Sequence, residues 1–188
     1  MRWSNRRSSL PELRLYVDGD SVPVPIRAVI LRCAKRTGLP TLFVADRLLK
    51  DVQCAKEEDT HERRLKAEAA GTGDEESLRN IRSVIGQVLV PSGQDSADNY
   101  LVEHVETPAL AITHDIPLAY RLVEKDVVVL DDRGHVYTKE NVGERLSERN
   151  VNMLLREWGM GDERTKPLSA SQVKAFADAL DRTLTHMR

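Results

Sequence analysis

"LRLYVDGDSVPVPIRAVILRCAKRTGLPTLFVA", residues 13–45, is the stretch whose reading decides the fold. Leu13–Val17 is a short apolar, β-leaning run that stops at Asp18. Beyond it Ile26, Val29, Ile30, Cys33 and Ala34 fall at helical spacing. Pro25 suits the first turn of that helix and Gly38 suits its C-terminal cap. "PTLFVA" (40–45) is a second buried strand. Strand, helix, strand reads as a βαβ unit, and that unit implies a parallel strand pair.

The same alternation continues outward. "SVIGQVLV" (83–90), "ALAIT" (109–113) and "VVVL" (127–130) are strand-like, while "SADNYLVEHV" (96–105) and "IPLAYRLVEK" (116–125) are helical. Fully apolar strands between amphipathic helices indicate a parallel sheet covered on both faces. After Gly134 the pattern turns helical: Thr138 can cap "KENVGERL", and "RNVNMLLREWG" ends on Gly159. A last helix, "SASQVKAFADALDRTL", has Ser169 or Ser171 as its cap. Residues 50–80 are polar and charge-dense and read as an insertion, part helical or part disordered, outside the core. The expectation is a three-layer α/β/α fold with a mostly parallel sheet. Residues 13–188 form one domain with a helical extension over 138–188, after a disordered 1–12.

At 188 residues the chain suits one domain with a real core. Its 28 basic residues against 30 acidic ones give a net charge of −2, unlike a domain that grips nucleic acid by charge alone. Cys33 and Cys54 form no C-x-x-C, and a buried structural thiol is the reading for Cys33. No apolar run spans a membrane, and "MRWSNRRSS" lacks the apolar core of a signal peptide, so a soluble cytoplasmic protein is expected. Its oligomeric state is not readable.

The informative pattern is where the acids fall. Asp18, Asp115 and Asp131 follow apolar strands, and Asp95 and Asp98 open the helix after another. In parallel α/β sheets ligands bind at the carboxyl ends of the strands, near the point where strand order reverses. Carboxylates gathered there repel one another unless a cation joins them, and oxygen-only ligation favours Mg²⁺ or Mn²⁺. Local capping competes: Asp95 and Asp98 fit helix caps, Asp115 fits both a cap and a site, and Asp132 in "DDRG" fits a turn. His114 at a strand end reads as structural.

"LYVDGDSVP", "ITHDIPLAYRLVEK", "VLDDRGHVYTKENVGERL" and "SASQVKAFADALDR" together resemble the YaiI/YqxD family, a bacterial family assigned to the PIN-like fold. The resemblance runs from about Leu13 to the C-terminus apart from the charged stretch. It implies a PIN-like α/β/α sandwich whose relatives are metal-dependent nucleases. By that analogy Asp18, Asp98 and Asp115 hold Mg²⁺ or Mn²⁺, with Asp20 and Asp95 nearby, and a metal-activated water attacks phosphorus in RNA or DNA. There are departures. The family usually reads Asp-Ala-Asp-Ala-Cys-Pro where this chain reads "DGDSVP", placing Val22 for a cysteine. It usually has paired acids where Asn99 follows Asp98, and Thr-Ala-Asp where this chain has "THD".

Two other readings compete. "VDGDSV" resembles the opening motif of haloacid-dehalogenase-like phosphatases, in which Asp18 is the nucleophile and Asp20 the acid/base, backed by Thr113, Lys125, Asp131 and Asp132. The third is a non-enzymatic nucleic-acid or protein binding module. Contacts to RNA or DNA would come from Arg47, Lys50, Arg133, Lys139 and Arg145, positions where basic residues are also ordinary surface.

Overall fold

The computed structural model describes residues 12–71, 74–93, 95–157 and 168–187. Six strands form one sheet: β1 (Arg14–Asp18), β2 (Thr41–Ala45), β3 (Ile85–Leu89), β4 (Ala109–Ile112), β5 (Val128–Leu130) and β6 (Val136–Tyr137). Their order is β3-β2-β1-β4-β5-β6. All pairs are parallel except β5 with β6, which is antiparallel. The chain therefore winds outward from β1 to one side and from β4 to the other, and strand order reverses between these two central neighbours.

Period-two alternation fills both faces. Leu15, Val17, Phe43, Ala45, Leu110, Ile112 and Leu130 point into one core, and Tyr16, Val44, Ala109, Ala111 and Val129 into the other. Helices α1 (Val24–Thr37), α2 (Lys50–Ala69) and α7 (Ala170–His186) cover the first face. Helices α4 (Ser96–His104) and α5 (Ile116–Val123) cover the second, with α6 (Val142–Glu157) packed on α5. Two cores on one sheet make the three-layer arrangement that the sequence predicts.

The helix punctuation is physical. Pro25 lies in the first turn of α1, and Gly38, at φ 72°, ends it with its amide donating to the Ala34 carbonyl at 2.9 Å. Ser169 rather than Ser171 caps α7, in a reciprocal capping box with Gln172. The start of α6 at Val142 lies beyond Thr138, and Gly159 is outside the described residues. The short strand β6 is an addition to the helices expected after Gly134.

Residues 50–80 need correction. They are the crossover between parallel strands β2 and β3, built from α2 and the short α3 (Glu75–Asn80). Val52, Ala55 and Asp59 of α2 are buried. Asp59 is a structural hub: it accepts from Ser83 Oγ at 2.6 Å and from the Val84 amide at 3.1 Å, and it pairs with Arg63. Composition suggested helix here but hid its part in the core, because only a narrow stripe of it faces inward. The expected disordered segment, residues 1–12, lies outside the described residues apart from residue 12. Among the described residues no helix is long and apolar enough to cross a membrane.

Candidate functional site

The carboxyl ends of β1 and β4 meet at the reversal of strand order. Asp18, last in β1, is 4 % exposed. Its Oδ2 accepts from Thr113 Oγ1 at 2.8 Å, and its Oδ1 accepts from the amides of Asp20 and Ser21, each at 3.3 Å. Thr113 follows β4 and in turn accepts from the Asp115 amide at 2.9 Å, while Ser21 Oγ accepts from the His114 amide at 3.1 Å. The two strand-end loops are thus knitted together by hydroxyls, and the Asp18 carboxylate is fixed in direction.

Around it the chain assembles a cleft of about 740 Å³ lined by Asp18, Asp20, Asp46, Asp95, Asp98 and Asp115, with Arg47, Arg121 and Arg149 at the same walls. Asp98 reports the crowding. Burial first, and then repulsion from Asp18, Asp115 and Asp95, push its carboxyl up to about 6, with Arg121 opposing. Burial also raises Asp20, whose Oδ2 accepts from the Asp46 amide at 2.9 Å and whose Oδ1 lies 3.8 Å from Arg47. Asp115 both caps α5, accepting from the Leu118 amide at 3.1 Å, and faces the cleft, 3.7 Å from Arg149. Asp95 is the N-cap residue of α4, at φ 57°, but makes no capping bond with its side chain. The donors are all oxygen, which suits a hard divalent cation in kind. Among the described residues no three His, Cys, Asp or Glu side chains already close on a common point.

Beside this cleft lies a second one, reached past Ser21, Asp115 and Arg149, which line both. Its walls come from the corner between β4 and α5, the turn between β5 and β6, and α6. Two carboxylates support it from behind. Asp132 receives His114 Nδ1 at 2.8 Å, a bond that raises the imidazole above its ordinary value. Asp131 receives His135 Nδ1 and the amides of Arg133 and His135, all at 2.8 Å.

The model of the uncharacterised bacterial YaiI/YqxD family matches residues 63–186, well over half of the chain. This chain belongs to the YaiI/YqxD family. It is 38 % identical over 175 residues to a UPF0178 protein of Myxococcus xanthus, covering 93 % of this chain and 96 % of that one. It is 36 % identical to one from Citrifermentans bemidjiense, covering 93 % and 96 %. A third, from Shewanella sp. strain MR-4, is 33 % identical, covering 94 % and 99 %. No solved structure matches.

In this YaiI/YqxD member Asp18, Asp20, Asp95, Asp98 and Asp115, the aspartates that the PIN-like analogy groups, all line one cleft. Of the basic candidates, Arg47 lines that cleft and Arg133 and Arg145 line the second. Lys50 lines neither, and Lys139 pairs with Asp126 at 2.7 Å away from both. Val22, at the usual cysteine position of the family, is buried in the core. Asn99 accepts from Arg121 through its Oδ1 at 2.8 Å and does not itself line the cleft. Lys125 bonds the Val102 carbonyl and lines neither cleft, so the phosphatase reading lacks its lysine. Asp131 and Asp132 serve the turn and the histidines rather than the acid cluster. Sequence reasoning missed Arg121 and Arg149, which arrive from the helices α5 and α6.

Proposed function

We propose that this protein is a Mg²⁺- or Mn²⁺-dependent phosphodiesterase acting on RNA or DNA. The observation that carries the reading is the cleft itself: Asp18, Asp98 and Asp115 come from three separate segments to the point where ligands bind in sheets of this topology. The raised Asp98 supports it, because a bound cation relieves the repulsion that raises it. The resemblance to PIN-like nucleases points the same way.

Asp18, Asp98 and Asp115 would hold the cation, with Asp20 and Asp95 at its margin. When bound it would activate a water and offset the charge developing on phosphorus. Asp18 is pre-aimed by Thr113 and two amides, which lowers the ordering cost of ligation. Asp115 must give up its loose contact with Arg149 for the carboxylates to converge. Arg47, Arg121 and Arg149 at the same walls would offer forked donors to phosphate oxygens.

Mn²⁺ titration calorimetry near neutral pH, together with hydrolysis of bis(p-nitrophenyl) phosphate, tests the reading. The expected outcome is binding and turnover in the parent and loss of both, by about 100-fold or more in rate, in Asp18→Asn. Equal Mn²⁺ binding by Asp18→Asn and the parent, or a parent that binds no Mn²⁺ at millimolar concentration, contradicts it.

A further inference from the structure

The acidic cleft is a poor holder of a polyanion. Six aspartates line it against three arginines, so even with a cation in place the attraction for a long phosphate chain must come from elsewhere. The neighbouring cleft has the opposite balance of available groups. Its acids are engaged: Asp131 by two amides and the His135 ring, Asp115 by the cap of α5, and Glu148 by Arg145. Its arginines are held loosely or not at all, Arg149 standing 3.7 Å from Asp115. The Arg133 side chain makes no hydrogen bond or ion pair among the described residues, although its amide anchors the turn. Among the described residues Arg145 pairs only with Glu148, three residues along the same helix, at 3.2 Å and with both side chains about half exposed. Such a pair is weak and exchanges readily for a phosphate. The guanidinium fork matches phosphate oxygens in pairs.

Position adds to charge. The two clefts share Ser21, Asp115 and Arg149, so a chain leaving the acidic cleft on that side enters the second one directly. Arg133 is held there by a rigid turn, since the Asp131 carboxylate closes residues 131–135 through three bonds of 2.8 Å.

We propose that the second cleft binds, on Arg133 and Arg145, a substrate phosphate other than the one attacked, so that the substrate is a polynucleotide strand laid across both clefts. The assignment rests on the phosphodiesterase reading of the acidic cleft. It makes a mononucleotide diester bind more weakly than a longer strand, and Arg133 and Arg145 determinants of substrate length rather than of the chemical step.

The test is fluorescence anisotropy of a short fluorescein-labelled oligothymidylate in calcium, which offsets the carboxylates. The double variant Arg133→Ala/Arg145→Ala is expected to bind at least about tenfold more weakly, with a salt slope shallower by about 0.7 for one lost phosphate contact. Lys50→Ala/Lys139→Ala removes the same charge outside both clefts and is expected to stay within about twofold of the parent. Parent-like binding by the arginine variant, an equal loss in the lysine variant, or no binding by the parent overturns the assignment. Manganese-dependent hydrolysis of bis(p-nitrophenyl) phosphate, which needs only the acidic cleft, separates the two readings. If it is absent while binding depends on the arginines, the catalytic reading falls and the phosphate site stands. If it is present while the arginines are dispensable, only the phosphate site falls.

Discussion

Asp98 is where the electrostatic cost of the site is concentrated. Its carboxyl rises from an ordinary 3.8 to about 6, through burial and three like charges. A carboxyl that titrates higher in the fold than in the unfolded chain favours folding below the unfolded value. That contribution is lost as pH rises toward the folded value. Asp98→Asn is therefore expected to match the parent near pH 4 without metal. At neutral pH it should be more stable by about 1–2 kcal/mol, after discounting for solvent screening. Urea melts at the two pH values check this, and a variant weaker than the parent at neutral pH contradicts the crowding. The acid side of the cleft was legible in the sequence because Asp18 and Asp115 stand where apolar runs stop, which fixes them to strand ends in any parallel sheet. Arg121 and Arg149 were not. Arg121 lies on α5 and Arg149 on α6, and how those two helices pack is a tertiary fact that local periodicity does not carry.

At the scale of the element, the turn between β5 and β6 shows how a strand-end acid can serve structure. Asp131 follows β5 as Asp18 ends β1, yet its oxygens are taken by the turn and by the Tyr137 hydroxyl at 3.5 Å. Asp131→Ala leaves two amides without their acceptor and is expected to cost about 2–4 kcal/mol in urea unfolding. Asp132→Ala loses mainly the link to the half-exposed His114 and is expected to cost about 1 kcal/mol or less. Similar losses in both variants would refute the hub role of Asp131. In sequence the two acids of "DDRG" look alike, and only the return of the chain through Gly134 (φ 91°) to β6 distinguishes them. A strand of two residues has no periodicity to detect. The buried face of α2 escaped for the related reason that Val52, Ala55 and Asp59 are too few to mark it.

For the molecule as a whole, the decisive contact is between the chain's end and its beginning. Helix α7 buries Phe176, Ala179, Leu180 and Leu184 in the same core as β1 and α1, and Arg36 of α1 bonds Asp181 at 2.7 Å. It also supports the site. A Cβ built on Gly134, in the turn that carries Arg133, would stand 3.0 Å from Ala179 Cβ and 3.2 Å from the Ala175 carbonyl oxygen of α7. The helix therefore closes the first face of the sheet and backs the turn of the second cleft, as an integral layer rather than an appendage. Phe176 is fully buried, so Phe176→Ala should leave a cavity costing about 3–5 kcal/mol, a large fraction of the net stability of a domain. If α7 is integral, the loss is global: urea unfolding followed by far-UV circular dichroism remains a single transition at lower midpoint. Amide exchange should then accelerate in β1 and β4 as well as in α7. Faster exchange confined to α7, with β1 and β4 protected as in the parent, would instead make the helix a separate folding unit and detach it from the site.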